Sequence, residues 1–337
     1  MISIVCPIYN EEKYIASCID SILQQDYPID DWEILFVDGM SKDKTREIVN
    51  EYVQKYPFIK LLDNPHKIVP YAMNIGIEAA KGDVIIRLDA HCSYPTNYFS
   101  ELVRNLEELP NAENVGGVCV TLPCNESTEA TGIAIALSSS FGMGDSSFRV
   151  GADEIKKVDT VPFGCFRKTL FDKIGLYDLE LVRNQDDELN GRIIKNGGDL
   201  FLIPSLKIEY FARDKVAKMR KMFYQYGLFK PLVNKKLGSP ATVRQFFPLA
   251  FLLGVVLGGV LSVFFKWIRD VYFAVLILYF GIGIYIGIKE SLRTKKWGLI
   301  LLMPWLYLNI HLSYGWGYLV GIWKLITKQS FAAQLNR

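Results

Sequence analysis

The stretch Val84-Ile85-Ile86-Arg87-Leu88-Asp89-Ala90-His91 decides how this chain is read. Its apolar, β-branched run is that of a buried parallel strand, and it stops abruptly in an aspartate, one residue and a histidine. In α/β sheets ligands bind beyond the carboxyl ends of the strands, so Asp89 and His91 fall where a site is expected. Two residues apart on an extended segment, they point to the same side and can share one hard cation or one diphosphate-bound metal. Taken alone, the triplet is more often an ordinary strand exit with solvated polar ends. The rest of the first 90 residues decides between the two.

Working outward, the pattern alternates. Ile2 to Cys6 reads as a strand, Glu11 to Gln25 as a helix, and Trp32 to Val37 as a second strand. A helix over Lys44 to Lys55, a strand over Ile59 to Leu62 and a helix over Val69 to Ala80 lead into the quoted strand. Such alternation predicts an α/β fold, a mostly parallel sheet with helices on both faces. Downstream the expected elements are a helix Tyr98 to Leu109, a strand Val115 to Thr121, a helix or loop Glu126 to Phe141, and the segment Val158 to Phe163 followed by a turn over Gly164 to Arg167. A helix Asp187 to Asn196, closed by Gly197-Gly198, and a short strand Leu200 to Pro204 complete the domain.

The 337 residues carry a net charge of only +2, which gives no global nucleic-acid signature and no nucleic-acid partner. Hydrophobicity is unevenly spread. Phe246 to Phe265, Val271 to Ile288 and Trp297 to Trp323 are uncharged runs, each long enough for a bilayer core about 30 Å thick. The basic stretch before the first run, with Arg213, Arg220, Lys221 and Arg244, and the loop after the second, with Lys289, Arg293 and Lys295, exceed the first loop in positive charge. The positive-inside rule then predicts a multi-pass protein of the cytoplasmic membrane with its N-terminal domain in the cytoplasm. Pro304 breaks the third run, so either a kinked span or a re-entrant hairpin fits it. The division expected is a catalytic domain over 1–212, an amphipathic interfacial segment over 213–245 and membrane helices over 246–326. Met1 to Pro7 reads as a strand rather than a leader. The six cysteines form no C-x-x-C pair and read as reduced thiols.

Four motifs follow in order: Ser3-Ile4-Val5-Cys6-Pro7-Ile8-Tyr9-Asn10-Glu11-Glu12, Phe36-Val37-Asp38-Gly39-Met40-Ser41 and Asp89-Ala90-His91 at predicted strand ends, with Asn74-Ile75-Gly76 in the helix before the last of them. With Asn184-Gln185-Asp186-Asp187-Glu188-Leu189 and Arg192, this series resembles the family 2 glycosyltransferases of the GT-A fold, and within them the ExoA-type enzymes of exopolysaccharide assembly. The resemblance implies that Pro7, Tyr9 and Glu11 lie on the loop around the nucleotide base and that Asp38 bonds the base. It implies that Asp89 contacts the ribose and helps hold a divalent cation, and that Asp186 is the catalytic base, with Asp187 as runner-up. His91 stands where the family has a second aspartate, and Gly39 replaces the second residue of an Asp-Asp pair. An imidazole is softer than a carboxylate, so Mn²⁺ is expected over Mg²⁺; the alternative is that His91 only hydrogen-bonds the diphosphate. Read from the residue alone, an Asp before a helix is more often an N-cap, and only the resemblance makes Asp186 the base.

These readings together imply a membrane-bound inverting hexosyltransferase. Its partners would be a nucleoside diphosphate sugar donor, in particular a UDP-sugar, a polyprenyl-linked acceptor and membrane lipids. The Gln-x-x-Arg-Trp motif of processive synthases is absent near residue 220, which favours single addition. A polyprenyl-phosphate sugar transferase and a non-catalytic membrane scaffold with a degenerate nucleotide-binding domain are the competing readings.

Overall fold

The computed structural model describes residues 1–240 and 242–331. In chain order its elements begin with β1 (Ile2–Ile8), α1 (Ile15–Leu23), β2 (Trp32–Asp38), α2 (Thr45–Lys55), β3 (Ile59–Asp63), α3 (Val69–Ala79), β4 (Val84–Arg87), β5 (Cys92–Ser93), α4 (Tyr98–Glu108) and β6 (Ala112–Leu122). There follow α5 (Thr128–Leu137), α6 (Ser140–Met143), α7 (Ser147–Val150), β7 (Lys156–Lys157), β8 (Cys165–Arg167), α8 (Thr169–Ile174), α9 (Gln185–Lys195) and β9 (Asp199–Phe211). The C-terminal helices are α10 (Val216–Leu237), α11 (Phe247–Phe264), α12 (Lys266–Thr294) and α13 (Leu299–Ile326).

The first unit comprises Met1–Val120 and Ser147–Tyr210. Its sheet runs in the order β3-β2-β1-β4-β8-β6-β9-β5, with β7 paired to β9. The first four of these strands are parallel, whereas β8 runs antiparallel to β4 and to β6, and β9 runs antiparallel to β5 and β7. The α/β class stands, but the parallel arrangement holds only for that half of the sheet. Two local expectations change with it. Gly164 to Arg167, expected as a turn, supplies β8, while Val158 to Phe163 forms no strand. The last strand extends well past Pro204.

Alternate residues of the parallel strands feed two cores. Ile4, Cys6, Ile34 and Phe36 pack with Ile15, Ile19 and Ile22 of α1 and Phe99 and Leu102 of α4. Val5, Leu35, Val37 and Ile85 pack with Met73 and Ile77 of α3 and Leu189 and Ile193 of α9 on the other face. A strand covered on both faces has to be apolar throughout, which is why these runs show no polar alternation. Each such side chain contributes about 1.5–3 kcal/mol of burial.

The chain enters β4 through a tight polar knot. The Gly82 N–H donates to Ser3 Oγ (2.8 Å), Ser3 Oγ donates to Glu33 Oε1 (2.9 Å), and Lys60 Nζ donates to Glu33 Oε2 (2.6 Å). A Cβ on Gly82 would lie 2.7 Å from backbone atoms of Met1, Ile2 and Ser3, none of which can rotate away. Gly82→Ala is therefore expected to lower unfolding stability by about 1–3 kcal/mol through overpacking, read as a fall in the midpoint of thermal or denaturant unfolding.

The second unit comprises Thr121–Ser146 and the chain from Phe211 onward. It therefore takes in α5 and α6, which a contiguous division at residue 212 places in the first domain. The mixed basic and apolar composition of α10 has a packing reason: Met219, Met222, Phe223, Phe229 and Val233 are buried, and Gly227 lets α10 approach the backbone of α13 at Tyr314. Among the described residues, Val243–Phe264 and Lys266–Thr294 are long and apolar enough to cross a membrane. The third run forms one continuous helix through Pro304, with no re-entrant turn, and much of it is buried. Its Asn309 side chain donates to the Trp305 carbonyl one turn earlier, while His311 Nδ1 bonds the Tyr279 hydroxyl of α12 (2.7 Å).

Candidate active site

The register of the parallel strands aligns Ile8, Asp38 and Asp63 at one edge of the sheet, and Val5 with Arg87. Everything that follows β1, β2 and β4 is therefore gathered on that edge. The loop after β1 is stitched to the loop after β2: Asn10 N–H donates to Ser41 Oγ (2.8 Å), Lys42 N–H to Asn10 Oδ1 (2.9 Å), and Glu11 N–H to Thr45 Oγ1 (2.7 Å). Pro7 and Tyr9 are half-buried at the end of β1.

Asp38 is fully buried at the end of β2. Its carboxylate accepts from Ser41 Oγ (2.5 Å), the Ser41 N–H and Arg46 Nη1 (2.6 Å), and Arg46 also pairs with Asp63 (2.8 Å). Most of the lone-pair directions of Asp38 are thus committed to fixing the loop and Arg46. Gly39 beside it is explained by space, since a Cβ there would sit 3.3 Å from Lys67 Cα and from the Tyr9 ring.

Asp89 and His91 do turn to the same side. His91 Nδ1 lies 2.5 Å from Asp89 Oδ1 and 3.7 Å from Glu11 Oε1, and the His91 ring stands edge-on to Tyr210 at 5.2 Å. Glu11 and His91 are buried, and Tyr94 braces the backbone of Asp89 by accepting from its N–H (2.7 Å). Burial by itself would raise the Asp89 carboxyl, but His91, with Arg87 behind it, holds it below the ordinary carboxylate range. One ligand atom from each of Glu11, Asp89 and His91 falls within 4.8 Å of the others. Two carboxylate oxygens and an imidazole nitrogen at that spacing are a donor set that suits a divalent cation. Glu11, expected beside the base, is here grouped with the metal candidates.

Asp186 is the second residue of α9, two places past the N-cap, and the cap position is held by Asn184 in a left-handed conformation (φ 60°). The helix is pinned by Arg192, which grips Glu188 through two hydrogen bonds (2.7 and 2.9 Å) and donates to the carbonyls of Ile174, Gly175 and Leu176. This brings Asp186 onto Arg87, the last residue of β4, in an ion pair. Arg87 is 8% exposed and Asp186 30% exposed. Burial raises the Asp186 carboxyl above its usual value, Arg87 pulls it down, and Asp187 pushes it up again, leaving it raised. Asp187 is half-exposed beside it.

Arg87 is the residue that the sequence reading passed over. An arginine inside an apolar strand requires a buried anionic partner, and that was the available signal.

A sheet with an acidic cluster at its strand ends, facing a carboxylate on the first turn of a helix, is the framework of a GT-A glycosyltransferase. A mannosyltransferase from Pyrobaculum calidifontis, solved with GDP-Man and Mn²⁺, shares the fold at a TM-score of 0.58 and 17% identity, over 96% of this chain and 87% of its own. The family model for Glycosyl transferase family 2 matches residues 3–169. A dolichyl N-acetyl-alpha-D-glucosaminyl phosphate 3-beta-D-2,3-diacetamido-2,3-dideoxy-beta-D-glucuronosyltransferase of Methanococcus voltae is 34% identical over 273 residues, 77% of this chain and 82% of that protein. The succinoglycan biosynthesis protein ExoA of Rhizobium meliloti is 29% identical over 262 residues, 77% of this chain and 78% of its own. The chain belongs to glycosyl transferase family 2, as the motif series implied, and is a glycosyltransferase.

Proposed function

We propose that this glycosyltransferase transfers a hexose, with inversion, from a nucleoside diphosphate sugar, in particular a UDP-sugar, to a hydroxyl of a polyprenyl-diphosphate-linked saccharide. The observation that carries the reading is the convergence on one sheet edge of a cation-type donor set, Glu11-Asp89-His91, and a separate ion-paired carboxylate, Asp186. Inverting transfer needs those two functions apart: a base for the incoming hydroxyl on one face of the sugar, and charge stabilisation for the departing diphosphate on the other. In the proposed mechanism Asp186 takes the acceptor proton, and Arg87 keeps it ionised and aimed. Asp38 with Arg46 fixes the loop that faces the base, and Pro7 and Tyr9 flank the nucleotide. A divalent cation held by Asp89 and His91, with Glu11 in reach, would supply charge neutralisation to the diphosphate.

The membrane assignment is supported by the lengths and hydropathies of Val243–Phe264 and Lys266–Thr294 and by the broad exposure of apolar side chains on α11 and α12. A lipid-linked acceptor gives these helices a purpose, and the names of the Methanococcus and Rhizobium relatives, from lipid-linked glycan and succinoglycan assembly, point the same way. We place the first unit in the cytoplasm on the distribution of Lys and Arg.

The imidazole in the donor set leads us to expect Mn²⁺ to bind more tightly than Mg²⁺. Titration of Mn²⁺ followed by electron paramagnetic resonance should show the dissociation constant raised by about tenfold or more in His91→Asn and in Glu11→Gln. An unchanged constant in both would remove the metal from this cluster.

The function itself is tested with radiolabelled donor sugars and a lipid extract rich in polyprenyl-linked saccharides. The expected product is label in the lipid phase that mild acid releases as an oligosaccharide. Label released only as a monosaccharide, formed on bare polyprenyl phosphate, would replace this reading with that of a polyprenyl-phosphate sugar transferase.

A further inference from the structure

Within the second unit a cavity of about 610 Å³ opens between α10, α11 and α13, and none of the candidate site residues lines it. Its walls are largely apolar, with Leu252 from α11 and Leu308 and Leu312 from α13, and Tyr224, Asn309 and Ser313 add neutral polar groups. Two tryptophans of α13, Trp305 and Trp316, flank it and remain 53% and 57% exposed. Its only charged lining residues among those described are Arg220 and Lys221, neighbours on α10, and no carboxylate shares the lining. Two adjacent cations beside an apolar trough call for an amphiphile with an anionic head and a hydrocarbon tail. Tryptophans of this kind are typical of a boundary between lipid and water, and α11 is one of the helices suited to cross a membrane.

From this charge complementarity we infer that the cavity is the seat of an isoprenoid lipid phosphate, with Arg220 and Lys221 holding the phosphate and the α13 face holding the first isoprene units. The volume lies within the range that encloses a single ligand of this size, about 300–1,000 Å³. The choice of an isoprenoid over other anionic lipids rests on the function proposed above, because the acceptor brings such a carrier to the enzyme.

The test is equilibrium binding of labelled polyprenyl phosphate to the full-length protein in detergent micelles, with no sugar donor present. Saturable binding is expected, displaced by unlabelled polyprenyl phosphate but not by polyprenol, inorganic phosphate or phosphatidylglycerol. The double variant Arg220→Gln/Lys221→Gln should bind about tenfold more weakly or worse, since each cation near a lipid phosphate contributes severalfold. Lys235→Gln/Lys236→Gln, which removes the same charge from the far end of α10, should bind within about twofold of the parent, because at that distance screening removes the effect. Should the first double variant fail to fold, Arg220→Gln alone, at an exposed position, is expected to show an intermediate loss.

Equal loss in both double variants, equal displacement by phosphatidylglycerol, or no saturable binding would overturn the assignment. Lipid binding without sugar transfer to any lipid-linked acceptor would leave the cavity standing and remove the proposed function. Transfer without specific lipid binding at Arg220 and Lys221 would do the reverse.

Discussion

Asp186→Asn is expected to lower turnover by about a thousandfold while donor affinity stays within about threefold of the parent, since a general base acts only as the acceptor oxygen attacks. The variant should still fold. Its amide oxygen can accept from Arg87 in place of the carboxylate, but the buried guanidinium loses its counter-charge, so a stability loss of about 2–4 kcal/mol is expected. Asp187→Asn removes a neighbouring charge that raises the Asp186 carboxyl, and its effect on turnover should be far smaller. Initial-rate kinetics with saturating donor separate the two. If Asp187→Asn is the inactive variant and Asp186→Asn the active one, the base is Asp187.

Arg87→Met is expected to damage both stability and pH response. Removing one partner of a buried ion pair leaves the other charge uncompensated, which costs about 3–5 kcal/mol when both are fully buried. Asp186 keeps 30% exposure, so about 2–4 kcal/mol is the expected loss here. The sign with pH follows from the raised carboxyl of Asp186. An acid that binds its proton more tightly in the folded state than in the unfolded state makes folding less favourable as pH rises through that range. Without Arg87 the Asp186 carboxyl rises further, so the stability deficit of the variant should be largest at neutral pH and shrink on acidification. Activity should move the other way: the rate falls as Asp186 takes up its proton, and the acid limb of the pH–rate profile should lie at higher pH in Arg87→Met than in the parent. Chemical denaturation at several pH values and a pH–rate profile check the two halves separately. A purely structural role for Arg87 would lower stability without moving the acid limb.

The N-terminal half of the sheet was legible because strands covered on both faces leave near-continuous apolar runs, as in Ile34 to Val37 and Val84 to Ile86. Helix α9 was legible because Gly197-Gly198 marks its end, where Gly197 indeed takes a positive φ of 84°. The antiparallel half was not. β8 is three residues long, and Cys165, Phe166 and Arg167 carry no local signal that they bridge β4 and β6. β9 was cut short at Pro204, although Leu206 and Ile208 alternate with exposed Ser205, Lys207 and Glu209 as a half-covered strand should. Among the candidate site residues, Asp89 and His91 were readable from their spacing. Glu11 reaches them only because its loop is tied to Ser41 and Thr45, a contact between segments some thirty residues apart. The burial of Arg87 against Asp186 joins residues 99 positions apart in sequence, and no local pattern encodes such a pair.

The measurement that tests the central claim most directly is nucleoside diphosphate release by the solubilised protein with Mn²⁺. It would be run across a panel of UDP- and GDP-sugars, with and without a membrane lipid extract, beside Asp186→Asn. The account predicts release from one donor, stimulated by the lipid extract and lost in the variant. Release that ignores the lipid and survives Asp186→Asn, or no release and no donor binding at all, would contradict it.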